Sequence, residues 1–93
     1  MNTSIGIDVS ARKLDVAVLR TGKKPLVRAF DNTPVGFSAL IKTLAALPLP
    51  RATMEATGVY HLDLAFALRA AEIPVMVVNP RQAKRFVEAR ARN

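Results

Sequence analysis

Two runs of alternating or β-branched residues open the chain. Residues 5–9 (IGIDV) form a short apolar run rich in β-branched side chains, which predicts a strand. Over residues 14–20 (LDVAVLR), Leu14, Val16 and Val18 fall on one side and Asp15, Ala17 and Leu19 on the other. That period of two predicts a second strand. Residues 21–24 (TGKK) read as a turn in which Gly22 is free to take a positive φ. Leu26, Arg28 and Phe30 then alternate with Val27 and Ala29 across residues 25–30, a third strand. Three strands on short links make an antiparallel meander.

The period then changes. Asn32 or Thr33 can cap a helix, and Pro34 suits its first turn. Phe37, Leu40, Ile41 and Leu44 recur at helical spacing, so an amphipathic helix should run to about Leu47, where Pro48 and Pro50 stop it. Residues 52–56 read as a fourth strand. Residues 59–72 read as a second helix with Leu62, Ala65, Phe66 and Leu68 mostly inward. The run 74–78 (PVMVV) is continuously apolar, as a strand covered on both faces would be. Pro80 opens a third helix with Ala83, Phe86 and Val87 inward and Arg81, Lys84, Arg85 and Glu88 opposite, followed by Arg90 and Arg92.

The predicted order is β-β-β-α-β-α-β-α. A meander followed by right-handed crossovers gives an α/β domain with a mixed five-stranded sheet and helices covering it. This is the opening topology of a ribonuclease-H-like fold. At 93 residues the chain is one domain. The end at Arg90–Asn93 carries no capping glycine or closing element, so the expectation is a truncated domain. With no cysteine, disulfide scaffolds, thiolate nucleophiles and Cys-ligated metal sites are excluded, and a single histidine, His61, excludes a multi-His site. Fourteen Lys and Arg against seven Asp and Glu give a net charge of +7, and the pI is about 10.9. Such a balance points to a polyanion partner, nucleic acid first, or to a membrane surface. No signal peptide and no run near the ~20 apolar residues of a membrane span is visible, so a cytoplasmic location is expected.

Two carboxylates stand out. Asp8 sits near the end of an otherwise apolar strand, on the same side as Gly6 and Ser10, where desolvation would be costly without compensation. Glu55 occupies the matching place in the fourth strand. If those strands are parallel neighbours, both acids meet at the carboxyl edge of the sheet, where α/β sheets place their sites. Close carboxylates repel unless a proton or cation lies between them, and hard oxygen donors select Mg²⁺ or Mn²⁺. Two such ions ~3.5–4 Å apart serve phosphodiester chemistry. The plainer alternatives are a turn residue for Asp8 and a helix cap for Glu55.

The residues also carry a resemblance. The stretch 5–10 (IGIDVS) with 13–18 (KLDVAV), then 55–61 (EATGVYH), then 77–86 (VVNPRQAKRF) resembles, in order, three blocks of the DEDD-type insertion-sequence transposases. That family includes the pilin-gene invertases, and its catalytic domain is similar to the RuvC Holliday-junction resolvase. The match spans nearly the whole chain. It implies that Asp8 and Glu55 are the first two acidic ligands of a catalytic Mg²⁺ or Mn²⁺ site. It also implies that two further aspartates and a serine-bearing domain lie beyond Asn93. The protein would then act in DNA transposition by strand cleavage and transfer, with this chain inactive alone. DNA, a structured guide RNA and further copies of the chain are the implied partners.

Thr57 and His61 flank Glu55 and are candidates for positioning substrate, although a lone histidine at a helix start is more often structural. Tyr60 could stack on a base, with a core or interface role as the plainer reading. Asp15 and Asp63 read as solvated or capping residues, and Lys13 as an ordinary surface lysine. Arg81, Lys84, Arg85, Arg90 and Arg92 are candidates for phosphate contact, against the alternative of a solvated helix face. Two other functions compete. An actin-like or sugar-kinase ATPase shares the fold, but its phosphate turn is usually glycine-rich and residues 10–13 (SARK) hold no glycine. A non-catalytic nucleic-acid-binding module would need only the basic helix.

Overall fold

The computed structural model describes residues 2–56 and 58–79. The third helix predicted from Pro80, with its basic residues Arg81, Lys84, Arg85, Arg90 and Arg92, lies outside the described residues, as does Thr57. The elements are β1 (Thr3–Val9), β2 (Lys13–Leu19), β3 (Leu26–Asp31), α1 (Pro34–Ala45), β4 (Pro50–Glu55), α2 (Leu62–Ala70) and β5 (Val75–Val78). The strands form one sheet in the order β3-β2-β1-β4-β5. The first three pair antiparallel, while β4 pairs parallel with both β1 and β5. The mixed five-stranded sheet of the sequence reading is therefore present, with β1 at its centre.

Alternation decides which face of the sheet is dry. Ile5, Ile7 and Val9 of β1, Leu14, Val16 and Val18 of β2, and Ala52 and Met54 of β4 are all buried. They share one core with Phe37, Leu40 and Leu44 of α1 and Leu64, Ala65 and Leu68 of α2. Both helices therefore lie on the same face. The opposite parity, including Ser4, Asp8, Asp15, Leu19, Arg51, Thr53 and Glu55, is exposed. Among the described residues, nothing covers that second face.

Local chemistry explains the element ends. Thr33, not Asn32, caps α1: its hydroxyl accepts from the Gly36 N–H at 3.1 Å, and Pro34 starts the first turn. Gly22 has φ +72° in the β2–β3 turn, as expected. Gly58 has φ +61°, which turns the chain between Glu55 and α2 in a conformation that side chains resist.

Three expectations are corrected. Helix α2 starts at Leu62 rather than Val59, and its buried stripe is Leu64, Ala65 and Leu68. Leu62 and Phe66 point outward, 45% and 69% exposed. They sit at i, i+4 on the face opposite Leu64 and Leu68, so the apolar stripe is rotated by about two residues from the one expected. Strand β5 is not covered on both faces: Met76 is 63% exposed, because β5 is an edge strand and both helices lie on the other side. The desolvation cost expected for Asp8 does not arise either, since its strand position faces the open side and is exposed.

Candidate active site

Register places the acids. Gly6 pairs with Thr53 and Ile7 with Met54 in the parallel β1–β4 ladder, so Asp8 and Glu55 are the next residues on the two strands. On the antiparallel side, Asp8 pairs directly with Asp15. Asp15 in turn faces Ala29 of β3, and Glu55 pairs with Val78 of β5. The row across the open face therefore reads Ala29, Asp15, Asp8, Glu55, Val78, at the carboxyl end of the parallel strands.

The row beside it, one step nearer the middle of the sheet, is Val27, Ala17, Gly6, Thr53, Met76. Small residues sit at its centre and larger ones at its edges, so the face is concave over β1. Asp8, Asp15 and Glu55 line one trough of about 650 Å³ with Gly6, Ala17, Val27, Thr53 and Val78. The trough opens to solvent, which keeps the three carboxylates hydrated and removes the usual penalty for charges in a sheet.

Asp15 is the residue that sequence reasoning undervalued. Its parity in β2 set it opposite Leu14 and Val16, which was enough to put it on the polar face. What was missing was the hairpin register that brings it beside Asp8. Lys13 does not line the trough: its Nζ donates to Asp31 Oδ1 at 2.8 Å.

His61 is not in the trough. It is buried, at 9% exposure, and lines a separate groove with Leu62, Ala65, Phe66, Arg69 and Val77. Its Nδ1 has no hydrogen-bond partner among the described residues. Tyr60 is 52% exposed in the turn before α2, not part of the core.

The donor set can be tested against a divalent cation. Its chemistry fits, because the polar side chains lining the trough, three carboxylates and the Thr53 hydroxyl, offer only hard oxygen donors. Its number does not suffice: among the described residues, no three His, Cys, Asp or Glu side chains gather closely enough to hold an ion. Asp8 and Glu55 can therefore supply part of a coordination shell.

The family model for DEDD transposases of the IS110 group, described as Transposase, matches residues 5–93. The chain belongs to this transposase family. Its function is accordingly that of a DNA transposase, an enzyme that cleaves and transfers DNA strands, and no observation favours the ATPase alternative. No curated protein matches the chain. Among solved structures, the transposase is similar to Thermus thermophilus RuvC in complex with a Holliday junction substrate. That match has 16% identity and a TM-score of 0.64, and covers 91% of this chain and 69% of RuvC. A second Thermus thermophilus RuvC structure matches at 17% identity and TM-score 0.62, covering 88% and 66%. These likenesses establish the ribonuclease-H-like fold of the transposase. No described helix of the transposase is long and apolar enough to cross a membrane.

Proposed function

We propose that the acidic rim of the open face is where this transposase meets the DNA phosphodiester, with Asp8 and Glu55 as ligands for Mg²⁺ or Mn²⁺. One observation carries the reading: two carboxylates at the same level of adjacent parallel strands, on one face and in one open trough. When bound, the divalent cation supplies Lewis-acid stabilisation of the leaving oxygen and a better nucleophile. The chain's own part is geometric. Gly6, Ala17 and Thr53 keep the floor of the trough low, so a phosphodiester can descend to the carboxylates from the solvent side. The carboxylates fix where the charge of the scissile group is met.

The other roles follow in the same reading. Arg81, Lys84, Arg85, Arg90 and Arg92 neutralise backbone phosphates, a salt-sensitive contribution that reads no sequence. Thr57 positions substrate, and His61, buried in the groove beside α2, takes the structural role. DNA is the principal partner, in the cytoplasm, with a structured guide RNA and further copies of the chain completing the assembly. The RuvC relative bound to a Holliday junction supports DNA as the partner.

The test is a Mn²⁺ titration followed by NMR. Selective broadening of the amides around Asp8 and Glu55, lost in Asp8→Ala, is expected. Uniform broadening, or broadening that survives the substitution, would overturn the assignment. DNA cleavage by this chain alone is expected to be absent, because two carboxylates hold a cation weakly. Robust Mg²⁺-dependent cleavage abolished by Asp8→Ala would refute that part.

A further inference from the structure

The sheet holds Asp8 and Glu55 from their outer sides, through Asp15 of β2 and Val78 of β5. The β1–β4 ladder ends at Ile7 and Met54, one residue short of both acids. Beyond that point β1 continues into the turn at Ser10, and β4 continues into the turn before α2. A tie between those two turns adds a restraint across β1 and β4 where their own ladder has stopped.

Asn32 joins them. Its Nδ2 donates to the Ser10 carbonyl at 2.7 Å and to the Tyr60 carbonyl at 3.1 Å. Its backbone N–H donates to the Arg12 carbonyl at 2.9 Å. One residue between β3 and α1 thus holds the segment two residues after Asp8 and the segment five residues after Glu55. An amide NH₂ has two hydrogens for two acceptors, and reversing the amide would set Oδ1 against two carbonyl oxygens, so its orientation is determined. The cap of α1 does not compete for the side chain, because Thr33 supplies it.

The Ser10 turn is rigid enough to transmit the restraint. Its N–H and Oγ both donate to the Lys13 carbonyl, at 2.9 and 3.0 Å, and its Oγ accepts from the Lys13 N–H at 3.2 Å. The Ser10 carbonyl is the group turned toward Asn32.

We propose that Asn32 is a positioning residue of the transposase, which narrows the range of separations open to Asp8 and Glu55 by tying together the turns that follow them. This rests on the reading of those two acids as metal ligands. Asn32 touches neither carboxylate. It acts one step further out than the groups that hydrogen-bond metal ligands directly, whose loss typically weakens binding ~10–100-fold, so the low end of that range is the expectation for Asn32.

Asn32→Ala removes both donors without adding charge. The expected result is a folded protein whose Mn²⁺ midpoint, read from broadening at Asp8 and Glu55, rises about tenfold. Exchange of the Leu62 N–H, which closes the Tyr60 turn on Val59, should also quicken. The control is Thr3→Val, which deletes a hydrogen bond of similar length, Thr3 Oγ1 to the Pro48 carbonyl at 2.7 Å, at the far end of the sheet. It should lower Tm and leave the Mn²⁺ midpoint where it was. An unmoved midpoint in Asn32→Ala, or an equal shift in Thr3→Val, overturns the proposal. If Asn32→Ala does not fold, Asn32→Ser, which keeps one donor, replaces it under the same criteria. If the unsubstituted chain shows no selective broadening, the metal assignment has failed instead. The tie is then judged by exchange alone: no quickening at Leu62 in the variant refutes it, and quickening there upholds it as the link between the turns.

Discussion

Under the helices, the strand positions of the central sheet are Ile5, Ile7, Val9, Leu14, Val16, Val18, Ala52 and Met54, all buried. On the reverse of the same strands stand Gly6, Asp8, Asp15, Ala17, Thr53 and Glu55 around an open trough. The two faces share one backbone and one hydrogen-bond ladder, so the difference lies in what each removes from water. The closed face gains free energy by excluding solvent from apolar area, and it tolerates changes in volume poorly. The open face gains little from packing and can therefore hold three carboxylates that a dry layer would reject. Stability and chemistry are separated by parity along each strand.

The largest test of that separation uses one strand. Leu14→Ala, at a fully buried position, should cost about 3 kcal/mol in urea denaturation. Leu19→Ala, on the same strand but facing outward and 51% exposed, should change stability by under ~0.5 kcal/mol. Comparable losses at both positions would show that the outer face is packed in solution and that stability is not confined to the helix-covered side.

How far the sequence reveals this contrast depends on the residue. The alternation in LDVAVLR assigned both faces of β2 correctly, because period two is a property of the strand alone. The capping choice between Asn32 and Thr33 was open, since either side chain can satisfy an N-terminal amide; only the approach of Ser10 and Tyr60, distant in sequence, decides it. The outward turn of Leu62 and Phe66 was not legible either. A nine-residue helix with apolar residues at 62, 64, 65, 66 and 68 supports two stripes, and tertiary packing selects one. The matched positions of Asp8 and Glu55 followed from strand order and parity, whereas Asp15 needed the exact hairpin register. Edge-strand exposure of PVMVV could not be read, because an apolar run looks the same whether or not its second face is covered.

Two glycines give a second, smaller test. A Cβ on Gly36 would fall on the Asp31 carbonyl oxygen, where α1 meets the end of β3. Gly36→Ala should therefore cost about 2 kcal/mol through forced separation of helix and strand. A Cβ on Gly6, in the middle of the central strand, would meet nothing within 4 Å. Gly6→Ala should instead gain roughly 0.5 kcal/mol by restricting the unfolded chain. A loss at Gly6 would mean that another group comes down onto the floor of the trough.

The acids give a third. Asp8 and Asp15 are directly paired like charges on adjacent strands, an arrangement that opposes folding slightly. Asp15→Asn should raise stability by about 0.2–1 kcal/mol, and added salt should shrink the gain. A loss of stability instead would show that the attraction of Asp15 for Lys13 outweighs its repulsion from Asp8.

The smallest effect is expected where charge is most exposed. Lys13 and Asp31 form an ion pair at 2.8 Å with side chains 61% and 63% exposed. The hydrogen bond from Lys13 to Asp31, then the Asp31 charge, raise the lysine above its ordinary 10.5, and Asp15 adds in the same direction. A raised pKa means that the folded chain holds this proton more tightly than the unfolded chain does. The stabilising contribution is therefore complete below 10.5 and fades as pH climbs through the raised value. The Tm difference between the unsubstituted chain and Lys13→Gln should be small, constant between about pH 7 and 9, and reduced by salt. It should vanish only at pH well above 10.5. A difference approaching that of Leu14→Ala would place a principal source of stability on the solvent side of the sheet, against the division of labour between its two faces.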